Sequence, residues 1–559
     1  MKPEITLFFL ISISLCLQPN DYMATITFDT NSTSFIGSGV SIKDNQATII
    51  SEGSYLIKGK SPEGNIIVSK SSVNLYLQNL NLTSNITSPI IINSKLSNIT
   101  ITSLENVILT DNESPNTTSG ECAVIKVKKN SVATIENQKD FTLIGSCKNV
   151  IKGGTQTSIK FGSSNGEYII HGYQNGISSD HYLEFNGGKF NIKTDTGDGI
   201  KSSPDNTDNH SEGKIVINNG EFIIESYEDA FKAKKIININ GGNFKIKTEN
   251  GYDSKTFDDE TMTAKGFKIS NNETGCEMVI KGGNFYLNTP DSSFHSKGNM
   301  TITDGIFEIY SGKKGIHSGF NLTIGEKDIK KGPTINILAS FEGIEARYIT
   351  IYYANIDLKA SDDGMNAAAG NKVPGVINDY FISIYDGKIY VLCSGDGIDS
   401  NGDVNIYGGE TKVISEGYKE GQDNEPIDYD LSFNLIKGEV FLGGNKGNKD
   451  YTHKRITKGS QNYAYYANIV EENTIIKIKN EKGIEIKKVT IPKQLSYLFY
   501  TSLELNEKFK FYLSDSTGGN EKEMSFKFGT TGGGEGGEGD GNFIDVKKII
   551  YGLFILLIP

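Results

Sequence analysis

The chain has 559 residues, 36% of them hydrophobic, with 62 Gly, 12 Pro and a formal net charge of −12. That length exceeds one compact core, although a stack of repeats can extend past the usual domain size. The acidic balance excludes nucleic acid, whose binding needs a basic face, and it repels anionic polysaccharides unless bound cations invert the local charge.

The first residues, MKPEITLFFLISISLCLQ, join a Lys to a short apolar run. They read as a secretory signal over residues 1–20, cut between Cys16 and Ala24, and too short for a membrane span. The expected location is extracellular or at the cell surface. N-x-S/T sequons at Asn31, Asn81, Asn85, Asn98, Asn112, Asn116, Asn209, Asn272, Asn299 and Asn321 agree, and make a glycoprotein expected if the source cell glycosylates. Cys122 and Cys147 lie one repeat length apart and could bridge adjacent coils, which an oxidising compartment permits. There is no C-x-x-C and no Cys/His cluster with zinc spacing.

No long stretch carries the i, i+3, i+4 pattern of an amphipathic helix, whereas alternation such as Lys189-Phe190-Asn191-Ile192-Lys193 recurs. From Ala24 to Ile170 short strands of Ile, Val, Leu and Thr alternate with Asn/Ser/Gly clusters. From Tyr168 onward the units sharpen: NGGKFNIKT (Asn186), NNGEFIIES (Asn218), NGGNFKIKT (Asn240), KGGNFYLNT (Lys281), DGIFEIYS (Asp304) and DGKIYVLCS (Asp386). Each sets Gly before an alternating strand, followed by a turn and a second short strand. A unit of about 20 to 30 residues suits a parallel β-helix over residues 24–470; a sandwich or propeller is the alternative, and a blade would need about 40 residues. The pattern is plainest over residues 333–410, where acid-Gly-aliphatic turns centre on Gly343, Gly364 and Gly397.

Residues 471–517 change to longer hairpin-like strands, read as a small β cap that protects the open edge of the stack. Residues 518–541 are a Gly/Glu-rich linker. Residues 542–559 end in an apolar tail resembling a lipid-anchor attachment signal, so membrane attachment through such an anchor is an open reading. A monomer is expected.

Aligned on their central position, the turns read DTGDGIKSS (Asp198), YEDAFKA (Asp229), NGYDSKT (Asp253), DSSFHSK, KKGIHSG, FEGIEAR, DDGMNAA and GDGIDSN. In a stack, equivalent turns lie about 4.8 Å apart, so their carboxylates form a ladder of like charges. A hard cation with six to eight oxygen ligands would bridge them, which makes calcium the expected cofactor. Glu342, Glu345, Asp362, Asp363, Asn366, Asp396 and Asp399 are the expected ligands. Against this, Asp, Asn and Gly are simply what tight turns prefer, so one Asp-Gly alone carries little. The turns at Ser292 and Lys314 are read as lacking carboxylates, which interrupts the row.

The succession EGIEARYITI, ASDDGMNAAAG, SGDGIDSNGDVNIYGGE and PIDYD resembles the secreted carbohydrate-binding-domain proteins, the cellulose- and polygalacturonate-binding β-helix family. The resemblance extends over most of the chain and is tightest from Gly343 to Asp430. It implies a right-handed parallel β-helix of pectate-lyase-like shape, calcium in the acidic turns, and polysaccharide binding without established cleavage. The turns DSSFHSK and KKGIHSG depart from the family's paired acids, so the calcium count differs here.

The expected function is therefore non-catalytic, calcium-dependent binding of plant cell-wall glycans such as cellulose or pectate. There is no Trp, so Tyr must serve as the sugar platform, with Tyr352, Tyr353, Tyr385, Tyr390 and Tyr407 near the acidic turns as candidates beside a half-buried structural reading. A polysaccharide lyase on the same scaffold is the first alternative. It needs a base and an acidifying cation, for which Arg347, Arg455, His295 and His317 come into question. A surface structural protein or adhesin without a dedicated glycan site is the second.

Overall fold

In a computed structural model of the chain, the described residues are 21–531 apart from 96, 115–121, 205–211, 256–259, 369–378, 416–423 and 445–451. The signal segment 1–20, the tail 542–559 and the sequons at Asn116 and Asn209 lie outside them. Among the described residues the protein is all-β, with one large, mostly parallel sheet that does not close into a barrel and a separate four-stranded sheet.

Along most of its length the large sheet grows by one rule: a strand hydrogen-bonds in parallel with the strand three places later in the chain, or two places later where two short strands have merged into a long one. Lys189–Thr194 pairs with Glu221–Ser226, which pairs with Asn243–Thr248, then Asn284–Thr289, then Ile306–Ser311, always in register. Two further rows run beside it, one through Ile200–Ser202, Phe231–Ala233, Phe267–Ile269 and Phe294–Ser296. The other contains Lys214–Ile217, Ile236–Ile239, Glu277–Ile280 and Asn299–Ile302.

Alternation decides which side chains enter the core. Phe190, Phe222, Phe244, Phe285 and Phe307 all point inward and are at most 3% exposed. Because register is kept, they stack ring on ring, with centroids 5.0, 5.1, 4.7 and 4.6 Å apart and nearly parallel planes. Phe231, Phe267 and Phe294 form a second column at 4.7 and 5.1 Å. The repeated Gly before these strands has a steric cause. Gly242, Gly283 and Gly305 sit at φ 118°, 120° and 125°, where a side chain is strained. A Cβ at Gly242 would also stand 3.0 Å from the Gly220 carbonyl of the repeat before.

The far edge is closed by antiparallel pairing. Tyr497–Thr501 adds to Glu439–Gly444, and Asn462–Tyr466 pairs with both Tyr497–Thr501 and Lys527–Thr530. The four-stranded sheet (Ile475–Lys479, Glu485–Thr490, Lys510–Ser514, Lys522–Met524) then covers a second core that includes Ile414 and Phe441. This corrects two boundaries. The capping region starts before 471, and the span 518–541 is not all linker, because Lys522–Met524 and Lys527–Thr530 are strands. Phe526 holds them there by stacking on Phe511, centroids 3.9 Å apart. The Cys122–Cys147 bridge is formed, next to strands of successive repeats, while Cys276 and Cys393 are free and buried.

The aromatic column predicts a measurable dependence. Phe222→Ala leaves a cavity between Phe190 and Phe244 and should lower stability by about 3–5 kcal/mol, with Phe222→Leu losing less. Denaturant unfolding of the two variants checks this; equal and small losses would contradict it.

Candidate functional site

The register aligns the turns into two rows of side chains. Two positions before each row strand's apolar residue stand Asp198, Asp229, Lys265, Ser292, Lys314, Glu342, Asp363, Asp396 and Glu425. One position after it stand Lys201, Lys232, Lys268, His295, His317, Glu345, Asn366, Asp399 and Asp428. The backbone hydrogen bonds confirm the alignment where the charges are dense: Gly343 N donates to Asp363 O (3.0 Å), Gly364 N to Asp396 O (2.9 Å) and Gly397 N to Glu425 O (2.8 Å).

In the early repeats the protein's own cations neutralise the ladder. Asp198 and Asp229 are buried, and Lys232 Nζ lies 3.4 Å from the first and 3.2 Å from the second. Lys268 adds a 2.9 Å contact to Asp229, and Lys265 pairs with Asp291. Two sequence expectations are corrected by this. The turn after Asp229 is Lys265-Gly266-Phe267-Lys268 and not the segment around Asp253. The turn at Ser292 does carry a carboxylate, the buried Asp291.

In the middle repeats the ladder is neutralised differently. Lys314 Nζ lies 3.4 Å from Glu342 and also pairs with Glu345, whose Oε2 is 2.8 Å from His317 Nδ1. Burial pushes Glu345 up, but the His317 bond and the Lys314 charge outweigh it and hold it down at about 2. Burial raises Glu342 to about 7, only partly opposed by Lys314. His295 stacks on His317 at 4.6 Å and is driven down to about 2 by burial and by neighbouring cations.

Asp363 and Asp396 differ. Asp363 accepts the Asp396 N–H (2.8 Å) and the Asn366 amide (3.1 Å), and Asp396 accepts the Glu425 N–H (2.5 Å). No Lys, Arg or His among the described residues pairs with either. Burial, joined by repulsion from Asp362 and Asp428, raises Asp363 to about 6. Burial, joined by Asp363, Asp428 and Asp399, raises Asp396 to about 8. Asn366 Oδ1 is buried without a hydrogen-bond partner. One repeat on, Arg455 lies 2.9 Å from Asp428 and also pairs with Glu425, so the cationic compensation resumes.

Of the seven expected ligands, Glu342 and Glu345 thus face Lys314, while Asp363 bonds both the Asn366 amide and the Asp396 backbone N–H. Asp362 and Asp399 flank these, close enough to raise their neighbours. Among the described residues, no three His, Cys, Asp or Glu side chains form a ready-made metal cluster. The donors present are all hard oxygens, which suits calcium better than a softer ion. The lysines were not read as part of the ladder from sequence, although Ile200-Lys201, Phe231-Lys232 and Phe267-Lys268 repeat the same step.

The groups considered for lyase chemistry are engaged. Arg347 is 1% exposed and bonded to Asp379 and to Tyr348 Oη (3.0 Å). Arg455 holds Glu425 and Asp428. Tyr385 and Tyr407 are exposed, but their faces stack on each other at 4.7 Å, with Tyr352 5.2 Å from Tyr385.

Residues 43–319 match the model of the family described as carbohydrate-binding domain-containing protein. The resemblance to that family is shown for these repeats. The match ends before Gly343, so the stretch whose motifs suggested the family lies beyond it. A solved polysaccharide lyase-like protein from C. thermocellum, a gadolinium derivative, is 21% identical, with a TM-score of 0.36 over 46% of this chain and 98% of that one. No curated protein matches.

Two outcomes follow from the ladder. Lys232→Met strips the cation between two buried carboxylates and should cost about 3–5 kcal/mol, equally in calcium and in chelator. The pH dependence has a defined sign. Asp363, Asp396 and Glu342 bind protons more tightly folded than unfolded, so their contribution is full at low pH and lost as pH rises toward about 8. Glu345 acts oppositely below its ordinary value of 4.5, and His295, held down by burial, acts oppositely up to its ordinary value of 6.5. In chelator the melting temperature should therefore fall as pH rises from about 6.5 to about 8, where Glu342 and Asp396 give up their protons; a rising profile there would contradict the assignment.

Proposed function

We propose that the protein is a secreted or cell-surface polysaccharide-binding protein, non-catalytic, built as a right-handed parallel β-helix whose acidic turns take calcium. The observation that carries the binding reading is the family match over residues 43–319. The recurrent parallel pairing of each strand with its equivalent one repeat on supports the β-helix. Asp363, Asp396 and the amide oxygen of Asn366 would hold the ion, with carbonyls or water completing its shell. The chemistry such an ion would supply there is charge neutralisation of two half-buried carboxylates that no described Lys, Arg or His pairs with. With only two carboxylates, affinity falls in the weak range of extracellular calcium modules, on the order of 10⁻⁴ M. Glu342 and Glu345, already met by Lys314 and His317, contribute less than their sequence position suggests.

The test is retention on insoluble cellulose and on polygalacturonate, with calcium and with chelator. Retention on at least one glycan is expected; retention on neither would favour the adhesin reading. Ultraviolet-absorbing unsaturated product from polygalacturonate would overturn the non-catalytic reading. In calcium, Asp363→Ala and Asp396→Ala should each lower the melting temperature more than in chelator. Equal losses under both conditions would remove calcium from the account.

A further inference from the structure

The broad outer face of the row from Lys189–Thr194 to Ile306–Ser311 carries outward residues that are mostly charged or amide. One patch departs from this. Ile223, Tyr286 and Ile306 are 38%, 41% and 53% exposed around a trough of about 420 Å³. The register puts Ile223, Lys245, Tyr286 and Glu308 in one line along the stack, one per repeat, so the Lys245 stem lies between Ile223 and the Tyr286 ring. Ile306 follows Asn284 and Asn243 in the adjacent line, where the Asn284 amide donates to Asn243 Oδ1 at 2.8 Å. Over four repeats the trough runs about 14 Å, three strand spacings.

We propose that this trough is the glycan-binding site and that it takes a neutral pyranose chain laid along the stack. The inference rests on the polysaccharide-binding reading above. Its chemistry fits a sugar: apolar faces for the ring C–H groups, with amides and charged tips beside them for hydroxyls. Tyr286 has Lys245 and Glu308 as its neighbours along the stack. Among the described residues its aromatic contact is tilted, Tyr310 at 6.2 Å and 58°. Charge chooses the class of chain. Glu221 and Glu308 line the trough against Lys245, and Lys189 lies 3.8 Å from Glu221, so positive charge is matched and a polyuronate finds no surplus to neutralise it. The trough lies wholly within the residues that match the carbohydrate-binding family.

The experiment compares full-length wild type, Tyr286→Ala and Ile306→Asn for retention on insoluble cellulose, with polygalacturonate gels as the acidic probe and melting temperature as the folding control. Wild type should bind cellulose, and each variant should lose about tenfold in affinity at unchanged melting temperature, the effect of removing one central anchor. Ile306→Asn keeps the test valid should Tyr286→Ala fold poorly. Wild-type binding with undiminished variants would overturn the trough while leaving polysaccharide binding intact. Retention on polygalacturonate alone would overturn the neutral class. Retention on neither would overturn the proposed function itself, and this inference with it.

Discussion

Every repeat in this chain stands directly on the equivalent residues of the repeat before, about 4.8 Å away. That single contact distance governs what each position tolerates. Apolar rings gain from it, as the Phe190 to Phe307 column shows with nearly parallel planes. Amides gain as well: the Asn218 amide donates back to Asn186 Oδ1 at 2.7 Å, and the Asn240 amide to Asn218 Oδ1 at 2.8 Å. Like charges lose. Two carboxylates at that spacing repel by about 3 kcal/mol at an effective dielectric of 20, more than a turn hydrogen bond of about 0.5–1.5 kcal/mol returns.

The turn ladder is therefore a problem in neutralisation, met in different ways along one molecule. Lysines are interleaved with Asp198 and Asp229 at the start. Lys314 and His317 meet Glu342 and Glu345 in the middle, and Arg455 meets Glu425 and Asp428 at the end. Between the last two, Asp363 and Asp396 are raised to about 6 and about 8 by burial. Side-chain cations thus stand on both sides of this gap and none among the described residues within it, and that gap is where the proposed ion would act.

The strands were legible in the sequence because alternation and positive-φ glycines are local signals: NGGNFKIKT already contains the turn, the inward Phe244 and the outward lysines. The acidic turns at Gly343, Gly364 and Gly397 were legible for the same reason. What escaped was register across unequal repeats. The segment between Thr248 and Ala264 pushes the next turn to Lys265, so in the sequence Asp253 stands where the local pattern expects that turn. The lysine rungs escaped because a turn lysine ordinarily reads as solvated, and only stacking places Lys232 between two buried carboxylates. The cap boundaries escaped because Tyr497–Thr501 and Lys527–Thr530 are held by antiparallel partners far away in the chain, which no local pattern announces. The Tyr286 trough is likewise assembled from four repeats, each unremarkable alone.

Calorimetric titration of calcium into the chelator-treated protein, run beside the double variant Asp363→Asn/Asp396→Asn, tests the neutralisation account most directly. The account predicts saturable uptake by the wild type, on the order of 10⁻⁴ M, and its loss in the double variant. Absence of uptake by a folded wild type, or equal uptake by the double variant, would contradict it.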